Sequence, residues 1–504
     1  MPRFVSFLVR RESLGGGNIG KLGAARISCV AFVFCVGTAI AAPAQTFDTL
    51  LRFDYSNGAL PCPNELVQGF DGNVYGTTQA GGDHLNPCQG GCGTVFRMTP
   101  TGQLTVLYDF CAQTGCPDGS SPTNLILAAN GEFYGTTFYG GAAGDGTVFR
   151  ITDAGKLTTL YSFCSLAYCA DGIWPQGLVQ AANENLYGIT QEGGSNGDGT
   201  VFEITPAGKL TTLYNFCSQT NCTDGRLPQI LMQAANGNFY GTTQAGGIGN
   251  GAYGTVFEIT PAGALTTLYS FCSLANCSDG ETPTAGLVQT ANGNLYGTAK
   301  RGGVHSDGTV FELTPAGQLT TLYNFCSQTD CADGSLPDVG MVLGTDGNFY
   351  GATFYGGVSN YGTVFEITPQ GTLTTLYSLC SQPNCTDGAT PVGEVQATNG
   401  TFYGAAQDGG GKYADGTLFT LSMGLAPFVE MIPSSGKVGA KVTILGNSLA
   451  GATSVTFNGT AATFTVVSDT EISAMVPAGA TSGKVEVVIS GSTLDGNVAF
   501  RVTK

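Results

Sequence analysis

Histidine, tryptophan and basic side chains are scarce in this chain. Its 504 residues include two histidines, one tryptophan and 19 Lys and Arg, against 36 Asp and Glu. No Ser–His–Asp order, phosphate-binding loop or run of metal ligands is found. The common nucleophilic, nucleotide-dependent and metal-dependent enzyme classes therefore have no support in the sequence.

Positive charge is scarcest in the central part of the chain. Residues 45–426 carry nine Lys and Arg and 30 Asp and Glu, a net charge of −21, whereas residues 427–504 carry five of each sign. Such an acidic surface repels phosphate backbones, so we expect no nucleic acid among the partners. Solubility is the simplest interpretation of the charge.

The N-terminus has the features of a secretory signal. Basic residues precede an apolar stretch over 27–40, and small-residue cleavage sites follow at 39–41 and 42–44. The stretch is short for a membrane span, and a membrane anchor is the alternative. We interpret residues 1–44 as a signal peptide. We expect an exported bacterial protein, in the periplasm, at the cell surface or outside the cell, with no membrane span in the mature chain.

One phrase recurs seven times and dominates the sequence. An intact copy, from Leu178 to Gly225, reads LVQAANENLYGITQEGGSNGDGTVFEITPAGKLTTLYNFCSQTNCTDG. Its GTVF step (once GTLF) returns every 53 to 55 residues. Self-similarity at a fixed period of this kind is the signature of a repeat architecture. The step begins at Gly93, Gly146, Gly199, Gly254, Gly308, Gly362 and Gly416.

Each repeat contains four runs rich in β-branched and aromatic residues, which we name strands a to d. In the quoted copy they are LVQA, NLYGIT, GTVFEIT and LTTLYNF. Asn-Gly or Asp-Gly pairs follow strand a in several copies, and Thr-Pro-Ala-Gly follows strand c, so tight antiparallel turns join these strands. Four antiparallel strands per repeat are typical of a propeller blade, whereas a parallel β-helix has shorter coils and no tandem hairpins.

The ends of the array indicate how it closes. Strands a, b and c occur seven times between Leu66 and Leu421, but strand d follows only six of these sets. The seventh copy of strand d lies at the other end, over 47–53. An N-terminal strand that completes the last blade removes the free edges. We therefore predict an all-β fold in which residues 45–423, the repeat region, form a seven-bladed β-propeller closed by the N-terminal strand.

The strand order also assigns two faces to the predicted propeller. With strand a at the axis, the short a–b and c–d turns share one face, here the turn face. The b–c loops, which contain Gly-Gly, and the d–a loops, which contain cysteines, share the opposite loop face. Binding residues concentrate on longer, variable loops, so the loop face is the predicted working face. The last strand c ends at the turn face, where we expect the C-terminal domain.

Two resemblances support this organisation. The steps YGTT, GG, GTVF and LTTLY closely resemble the GloVer tandem-repeat family of exported bacterial proteins, from residue 47 to about 422. That resemblance implies no activity and no site residue. Residues 427–504 resemble an IPT/TIG domain, which implies a small immunoglobulin-like β-sandwich that binds or spaces, and their alternating apolar runs predict a sandwich independently. The matching segments are IPSSG at 432–436, VTILG at 442–446, VTFNG at 455–459 and VPAGATSG at 476–483.

Cysteine is frequent and regularly spaced. Twelve of the 17 cysteines form six CxxxxC pairs just after strand d, and such pairing in an exported chain indicates disulfides that stiffen the d–a loops. Zinc would need cysteine pairs that converge from two segments, and the sequence shows no sign of this. Cys88 and Cys92 are expected to staple the long first b–c loop, with Cys62 as an alternative partner for one of them. The six pairs are Cys111/Cys116, Cys164/Cys169, Cys217/Cys222, Cys272/Cys277, Cys326/Cys331 and Cys380/Cys385.

The polar residues suggest no metal or cofactor, with Ca²⁺ as the alternative. His84 and His305 occupy the same place in the b–c loops of repeats one and five, nearly opposite in a seven-membered ring, and are interpreted as solvated. An Asp recurs in the d–a loops, and oxygen-rich loops suit Ca²⁺, but Asp-Gly is also a common turn signal. We expect this Asp to serve the fold. Its copies are Asp118, Asp171, Asp224, Asp279, Asp333 and Asp387.

Residues that break the repeat are the better candidates for ligand contacts. Exposed aromatic rings stack on sugar rings, although packing between blades is the competing interpretation. The candidate ligand-binding residues are Trp174, Tyr139, Tyr355, Lys300, Arg301, Glu192 and Asp408, with His84 and His305 in addition.

Two functions are consistent with these features. The first is an exported, non-enzymatic binding, adhesion or surface scaffold protein whose loop face recognises a polysaccharide or protein ligand. The second, by fold analogy alone, is a polysaccharide-active hydrolase or lyase. A glycosidase needs two carboxylates in one cleft, and the acidic candidates Glu192 and Asp408 belong to blades three and seven. The sequence favours the first function.

Overall fold

The described part of the chain is almost entirely β-structure. A computed structural model describes residues 45–503, except 63–65, 85–87, 89, 250–252 and 413. The predicted signal peptide, residues 1–44, lies outside the described residues. Across the described ranges, no helix has the length and apolar character needed to cross a membrane.

The repeat region folds into seven antiparallel sheets, one for each copy of the phrase, with the strand order a-b-c-d in each. We number the sheets by their strand a along the chain. Strand a of sheet 1 is in two parts. The strands a to d are Ala59–Pro61 with Val67–Gln68, Val74–Ala80, Thr94–Met98 and Leu104–Asp109 in sheet 1; Ser120–Leu127, Phe133–Tyr139, Thr147–Ile151 and Leu157–Ser162 in sheet 2; Ile173–Gln180, Leu186–Glu192, Thr200–Ile204 and Leu210–Asn215 in sheet 3; Arg226–Gln233, Phe239–Ala245, Thr255–Ile259 and Leu265–Ser270 in sheet 4; Val288–Gln289, Leu295–Ala299, Thr309–Leu313 and Leu319–Asn324 in sheet 5; Val342–Leu343, Phe349–Thr353, Thr363–Ile367 and Leu373–Ser378 in sheet 6; and Ala389–Gln396, Phe402–Asp408, Thr417–Ser422 and Thr46–Arg52 in sheet 7.

Short 3-10 helices lie in five of the d–a loops, which were predicted only as longer loops that contain cysteines. Each helix ends at the second cysteine of a CxxxxC pair, and its central residue has a positive φ, so each is a pair of tight turns. These helices could not be predicted from the sequence, because three residues are too few for a periodic pattern. The helices are Ala167–Cys169, Thr220–Cys222, Ala275–Cys277, Thr329–Cys331 and Pro383–Cys385.

Consecutive sheets are joined by the glycine of GTVF and a proline at the start of the next strand a. Gly199 of sheet 3 has a φ of +99°, and a Cβ there would lie 2.5 Å from Cδ of Pro228 in sheet 4. Leu227, just before that proline, has a φ of 54° and donates its N–H to the carbonyl oxygen of Asp198 at 3.1 Å. Glycine is needed at this step because a side chain would collide with the next sheet. The same contacts recur between every two consecutive sheets.

These contacts also lead from sheet 7 back to sheet 1. Gly416 lies against Pro61, and Leu60 donates its N–H to the carbonyl oxygen of Asp415 at 3.0 Å. The N-terminal strand Thr46–Arg52 pairs antiparallel with Thr417–Ser422, so it supplies the strand d that sheet 7 lacks, as predicted. The succession of sheets is therefore cyclic, which is a propeller-like arrangement.

The C-terminal part of the chain folds into an immunoglobulin-like sandwich. One sheet has the order Glu430–Ile432, Lys441–Leu445, Glu471–Met475, Phe464–Val466, and the other Thr460–Ala461, Ala452–Phe457, Val485–Ile489, Ser492–Asp495. Ser435–Lys437 pairs in parallel with Arg501–Thr503, and a 3-10 helix spans Leu449–Gly451. Apolar side chains from both sheets fill the core. Among them are Val442, Ile444, Phe457, Ile472 and Val487, each at most 1% exposed.

The sandwich lies against the turn face of the repeat region. Thr470 donates its hydroxyl to the carbonyl oxygen of Phe70 in sheet 1 at 2.5 Å, and Asn447 donates to Thr398 in sheet 7. On the opposite side, the Arg501 guanidinium lies against Gly237 in sheet 4. All three contacted residues lie in a–b turns. The sandwich therefore extends across the turn face, as strand parity predicted, and leaves the loop face open.

Candidate functional site

The loop face contains a cavity lined by the end of every strand b. The lining residue is the second one before Gly-Gly, so each sheet contributes an equivalent side chain. Because all seven sheets take part, the cavity, of about 330 Å³, lies where the sheets converge; we call it the axial pocket. The seven residues are Gln79, Phe138, Gln191, Gln244, Lys300, Phe354 and Gln407.

A second set of lining residues comes from the start of strand a. These residues directly follow the proline that packs on the preceding sheet, so the contacts between sheets also place them. They are Thr123, Gln176, Gln229, Thr284, Asp338 and Val392. The repeated backbone therefore holds a variable set of side chains in a fixed ring.

The lining is polar but close to neutral. Lys300 Nζ lies 2.6 Å from Asp338 Oδ2, which pairs the two charged side chains of the pocket. Thr284 donates its hydroxyl to Asp338, and Gln176 donates to Gln191 at 3.4 Å. Glutamine amides both donate and accept hydrogen bonds, as hydroxyl groups do. The pocket therefore offers matched partners to a neutral ligand with many hydroxyl or amide groups.

Aromatic rings border the pocket between sheets 2 and 3. Trp174 stacks on Phe138, with ring centroids 5.2 Å apart and planes 14° apart. Tyr139 contacts Phe138 edge-on and is 48% exposed. On sheet 6, Tyr355 lies beside Phe354 in the same way and is 42% exposed. Two aromatic pairs thus stand at the rim, where a sugar ring or another aromatic group can stack.

Most of the candidate residues predicted from the sequence lie beside the axial pocket and do not line it. Tyr139, Glu192, Tyr355, Arg301 and Asp408 directly precede Gly-Gly, whereas the axial pocket is lined by their immediate neighbours, because successive side chains of a strand point in opposite directions. Arg301 is exposed, and Asp408 accepts a hydrogen bond from Thr390 at 2.7 Å. Of the candidates, only Lys300 lines the pocket, and Trp174 borders it through Phe138.

The glutamines that line the axial pocket were not among the residues predicted from the sequence. A usable signal was present, since Gln, Phe or Lys alternates at one position while YG and GG around it stay fixed. His84 is half-buried and His305 exposed, and within the described ranges neither belongs to a group of potential metal ligands.

The recurring Asp of the d–a loop is engaged by hydrogen bonds within its own loop. Asp224 is fully buried and accepts from the Tyr214 hydroxyl (2.7 Å), the Ser218 N–H (2.9 Å) and the Ser218 hydroxyl (3.0 Å). For the equivalent Asp333, burial opposes ionisation, but hydrogen bonds from Tyr323 and Ser327 hold the pKa below its usual value. These carboxylates organise the loops, so a calcium ion would have to replace bonds already made.

The structure joins the seven cysteine pairs expected from the spacing. The Cys62 thiol, the alternative partner in the first repeat, donates instead to the carbonyl oxygen of Pro122 at 2.8 Å. The pairs are Cys88 with Cys92, Cys111 with Cys116, Cys164 with Cys169, Cys217 with Cys222, Cys272 with Cys277, Cys326 with Cys331 and Cys380 with Cys385.

Cys385 shows that these cysteines do more than stiffen their own loop, which was the role expected of them. Its N–H donates to the carbonyl oxygen of Gln382 at 3.0 Å, which closes the 3-10 turn. Its carbonyl oxygen accepts from the N–H of Gly388 at 3.0 Å and of Gly410 at 2.8 Å. Gly410 belongs to the b–c loop of sheet 7, so the backbone of Cys385 joins the two kinds of loop on the loop face.

One expectation about the cysteines is wrong, because two pairs from different segments do converge. The sulfurs of Cys88, Cys92, Cys111 and Cys116 all lie within 4.8 Å of one another. No pattern in the sequence indicates this convergence, since the two segments meet only where one loop stacks on the next.

Family models match most of the chain. A repeat model matches residues 37–249, 165–338 and 217–419. The chain belongs to the Gloeobacter/Verrucomicrobia repeat family. The IPT/TIG domain model matches residues 427–502. Both resemblances seen in the sequence are thereby confirmed.

Several solved structures are similar to this chain at low identity. Virginiamycin B lyase from Staphylococcus aureus is 13% identical, with a TM-score of 0.50 over 75% of this chain and 99% of that one. The extracellular domain of a putative hybrid two-component system from B. thetaiotaomicron is 9% identical (TM-score 0.49, 80% of this chain, 46% of that one). PorZ, a surface component of the type-IX secretion system of Porphyromonas gingivalis, is 14% identical (TM-score 0.47, 86% and 58%). No curated protein matches the chain.

Proposed function

We propose that residues 45–423 form a closed seven-bladed β-propeller and that residues 427–504 form an IPT/TIG domain attached to its turn face. The seven sheets, the seven glycine–proline contacts between them and the N-terminal strand in sheet 7 support this architecture. The propeller presents its loop face, and the sandwich acts as a spacer.

We further propose that the protein is an exported, non-enzymatic binding protein whose axial pocket holds a neutral polysaccharide. The observation that carries this proposal is the ring of side chains contributed by all seven sheets, which includes four glutamine amides and two phenylalanine rings. Amides match sugar hydroxyls, and aromatic faces match the apolar faces of sugar rings. The N-terminal signal and the disulfides support export to an oxidising compartment, outside the cytoplasm of a bacterium.

Exposed apolar groups support the choice of face. Among the described residues of the repeat region, every large apolar side chain that is exposed lies in a b–c loop, in a d–a loop or at the end of strand b. Exposed apolar groups concentrated on one face mark an interaction surface. They are Tyr139, Leu166, Tyr168, Ile248, Leu274, Val304, Tyr355, Val358 and Tyr361.

A polysaccharide hydrolase is the second candidate, but the pocket chemistry opposes it. Hydrolysis of a glycosidic bond commonly uses two carboxyl groups on either side of the bond. Asp338 is the only carboxylate among the described residues that line the axial pocket, and it is paired with Lys300.

The test is retention of the mature protein, from Gln45 onward, on insoluble neutral and acidic polysaccharides. We expect retention on a neutral polymer and loss of at least tenfold in affinity for the double variant Gln191→Leu/Gln244→Leu. The control Gln318→Leu changes an exposed glutamine in a c–d turn of the opposite face and is expected to bind normally. Normal retention of the double variant, or no retention of the unaltered protein, contradicts the proposal. Release of soluble oligosaccharides would favour the hydrolase.

A further inference from the structure

The four convergent cysteines come from two neighbouring loops on the loop face. Cys88 and Cys92 lie in the b–c loop of sheet 1, and Cys111 and Cys116 in the d–a loop that follows. Their four Sγ atoms all lie within 4.8 Å of one another, and all but Cys88 are buried. The spacings C-x3-C and C-x4-C fall in the range seen for paired thiolate ligands of zinc.

This cluster replaces a carboxylate found in other sheets. Cys92 precedes the GTVF step, where sheets 2, 3 and 5 have Asp145, Asp198 and Asp307. In those sheets the carboxylate lies beside the disulfide of the d–a loop, which gives groups of one oxygen and two sulfurs. Among the described residues, only the cluster at sheet 1 brings four sulfurs together. The long first b–c loop supplies the two extra cysteines.

The d–a loop after sheet 6 has the same cysteine spacing, but in the described part of the chain no carboxylate or second cysteine pair lies beside its two sulfurs. Tyr361 precedes its GTVF step, and the following d–a loop carries Cys380 and Cys385. Within the described ranges, this pair belongs to no group of three or more potential metal ligands. The pair therefore provides a matched control, with the same spacing but no second pair of sulfurs.

We propose that the reduced protein binds one Zn²⁺ through the thiolates of Cys88, Cys92, Cys111 and Cys116. Tetrahedral zinc with Zn–S bonds of about 2.3 Å separates its sulfurs by about 3.8 Å, within the spread of these four atoms. Val95, Phe110 and Phe149 belong to the same buried cluster and shield the sulfurs from water. Soft thiolate ligands favour zinc over magnesium or calcium.

The disulfides are the oxidised alternative of the same site. Two molecules of a dithiol reductant supply four electrons and four protons, which convert the two disulfides into four thiols. Binding of Zn²⁺ then releases four protons as the thiols become thiolates. Oxidation by a small disulfide reverses the change and releases the metal, so the site holds either two S–S bonds or one zinc ion.

The test uses the chain from Gln45 to Lys504, produced in a reducing cytoplasm and purified without oxidant. We expect one tightly bound zinc per chain, measured by native mass spectrometry, and, after exchange with Co²⁺, the visible absorption bands of a tetrathiolate site. Cys92→Asp, which installs the residue found in the equivalent loops, should fold normally and retain less than a tenth of the zinc.

A second variant separates this site from the other cysteines. Cys380→Ser/Cys385→Ser removes the control pair of sheet 6, and we expect it to keep one zinc per chain. Treatment of the unaltered protein with oxidised glutathione should release the metal. Absence of zinc from the reduced protein, or equal zinc in Cys92→Asp and the unaltered chain at matched melting temperature, overturns the proposal.

Discussion

Glu394 is a carboxylic acid at a position where other sheets have leucine. It lies three residues after the proline of strand a in sheet 7, as Leu125, Leu178 and Leu231 do in sheets 2, 3 and 4. Those leucines are buried, and so is Glu394, whose two carboxyl oxygens have no hydrogen-bond partner in the described structure. Burial without a partner disfavours the charged form and raises the pKa of Glu394 to about 8.

This pKa predicts a loss of stability as the pH rises. The unfolded chain, with an ordinary glutamate pKa of about 4.3, binds fewer protons than the folded chain between that value and pH 8. The contribution of Glu394 to the free energy of unfolding is greatest below pH 4.3. It falls by about 1.4 kcal/mol for each pH unit above that value and levels off above pH 8.

The variant Glu394→Leu should remove this dependence. We expect it to be more stable than the unaltered protein by a few kcal/mol at pH 8.5, with a smaller difference at pH 5. Urea unfolding at both values measures the change, and Glu394→Gln, which keeps the shape without a charge, serves as the control. Equal pH dependence in all three proteins would show that Glu394 ionises freely in the folded state.

At the same scale, strand parity limited the prediction of the site. The repeat pattern indicated the end of strand b as the place where the chain varies, and the axial pocket lies there. Which of two adjacent residues faces the pocket depends on the pairing of strands b and c and on the twist of each sheet. The position of Tyr139 varies more between repeats than that of Phe138, yet only Phe138 lines the pocket.

The recurring Asp of the d–a loop accepts more hydrogen bonds in some copies of the repeat than in others. Asp224 accepts hydrogen bonds from Tyr214, Ser218 and Gln219, whereas Asp118 accepts from the Tyr108 hydroxyl and the Ala112 N–H. The difference arises because alanine replaces serine in the first loop, and one Asp118 oxygen has no partner among the described residues. A buried donor left without its acceptor costs about 1–3 kcal/mol.

Removal of the carboxylate should therefore lower the free energy of unfolding more in the d–a loop whose Asp accepts more hydrogen bonds. We expect Asp224→Ala to lower the free energy of unfolding by about 3 kcal/mol, and Asp118→Ala to lower it by about half as much. Chemical denaturation of both variants gives the comparison. A larger cost for Asp118→Ala would mean that the loops are held by their disulfides and not by the carboxylate.

The element pattern itself was predictable because it depends on local chemistry. The Gly-Gly and Thr-Pro-Ala-Gly motifs indicate loops and turns, and the β-branched runs indicate strands. The b, c and d strands of the structure lie close to the runs that predicted them. The backbone before the strand a proline was not predictable. A residue before proline prefers an extended conformation, yet Leu227 and its six equivalents have positive φ values, 51° to 56°. The hydrogen bond to the preceding sheet, a contact visible only in three dimensions, offsets this strain.

On the scale of the whole molecule, the architecture could be predicted from the number of strands of each type. The single displaced copy of strand d predicted where the two ends of the repeat region meet, and the pairing of Thr46–Arg52 with Thr417–Ser422 agrees. Parity of the strands likewise placed the sandwich on the turn face. By contrast, the contact of the sandwich with sheet 4 through Arg501 depends on the angle between the two domains, which no repeat pattern specifies.

Removal of the N-terminal strand should open the ring. Phe47 stacks on Tyr377 of sheet 6 with centroids 3.7 Å apart, and on Phe419 of sheet 7 at 4.8 Å, so the strand joins two sheets as well as completing one. A chain that begins at Asp54 loses these contacts and leaves Thr417–Ser422 as an unpaired edge. Burial of two or three apolar side chains contributes about 5 kcal/mol, which is a large part of the stability of a typical domain.

We therefore expect the chain from Asp54 to melt at a lower temperature than the chain from Gln45 and to associate as its concentration rises, because exposed strand edges pair with one another. Light scattering and calorimetry on both chains measure these changes. A synthetic peptide of residues 45–56 should restore a monomer with the higher melting temperature, since it can occupy the vacant edge as a fourth strand. A monomeric chain from Asp54 with an unchanged melting curve would contradict this prediction. The N-terminal strand would then add no stability to sheet 7, and the other contacts between sheets 7 and 1 would hold the two sheets together without it.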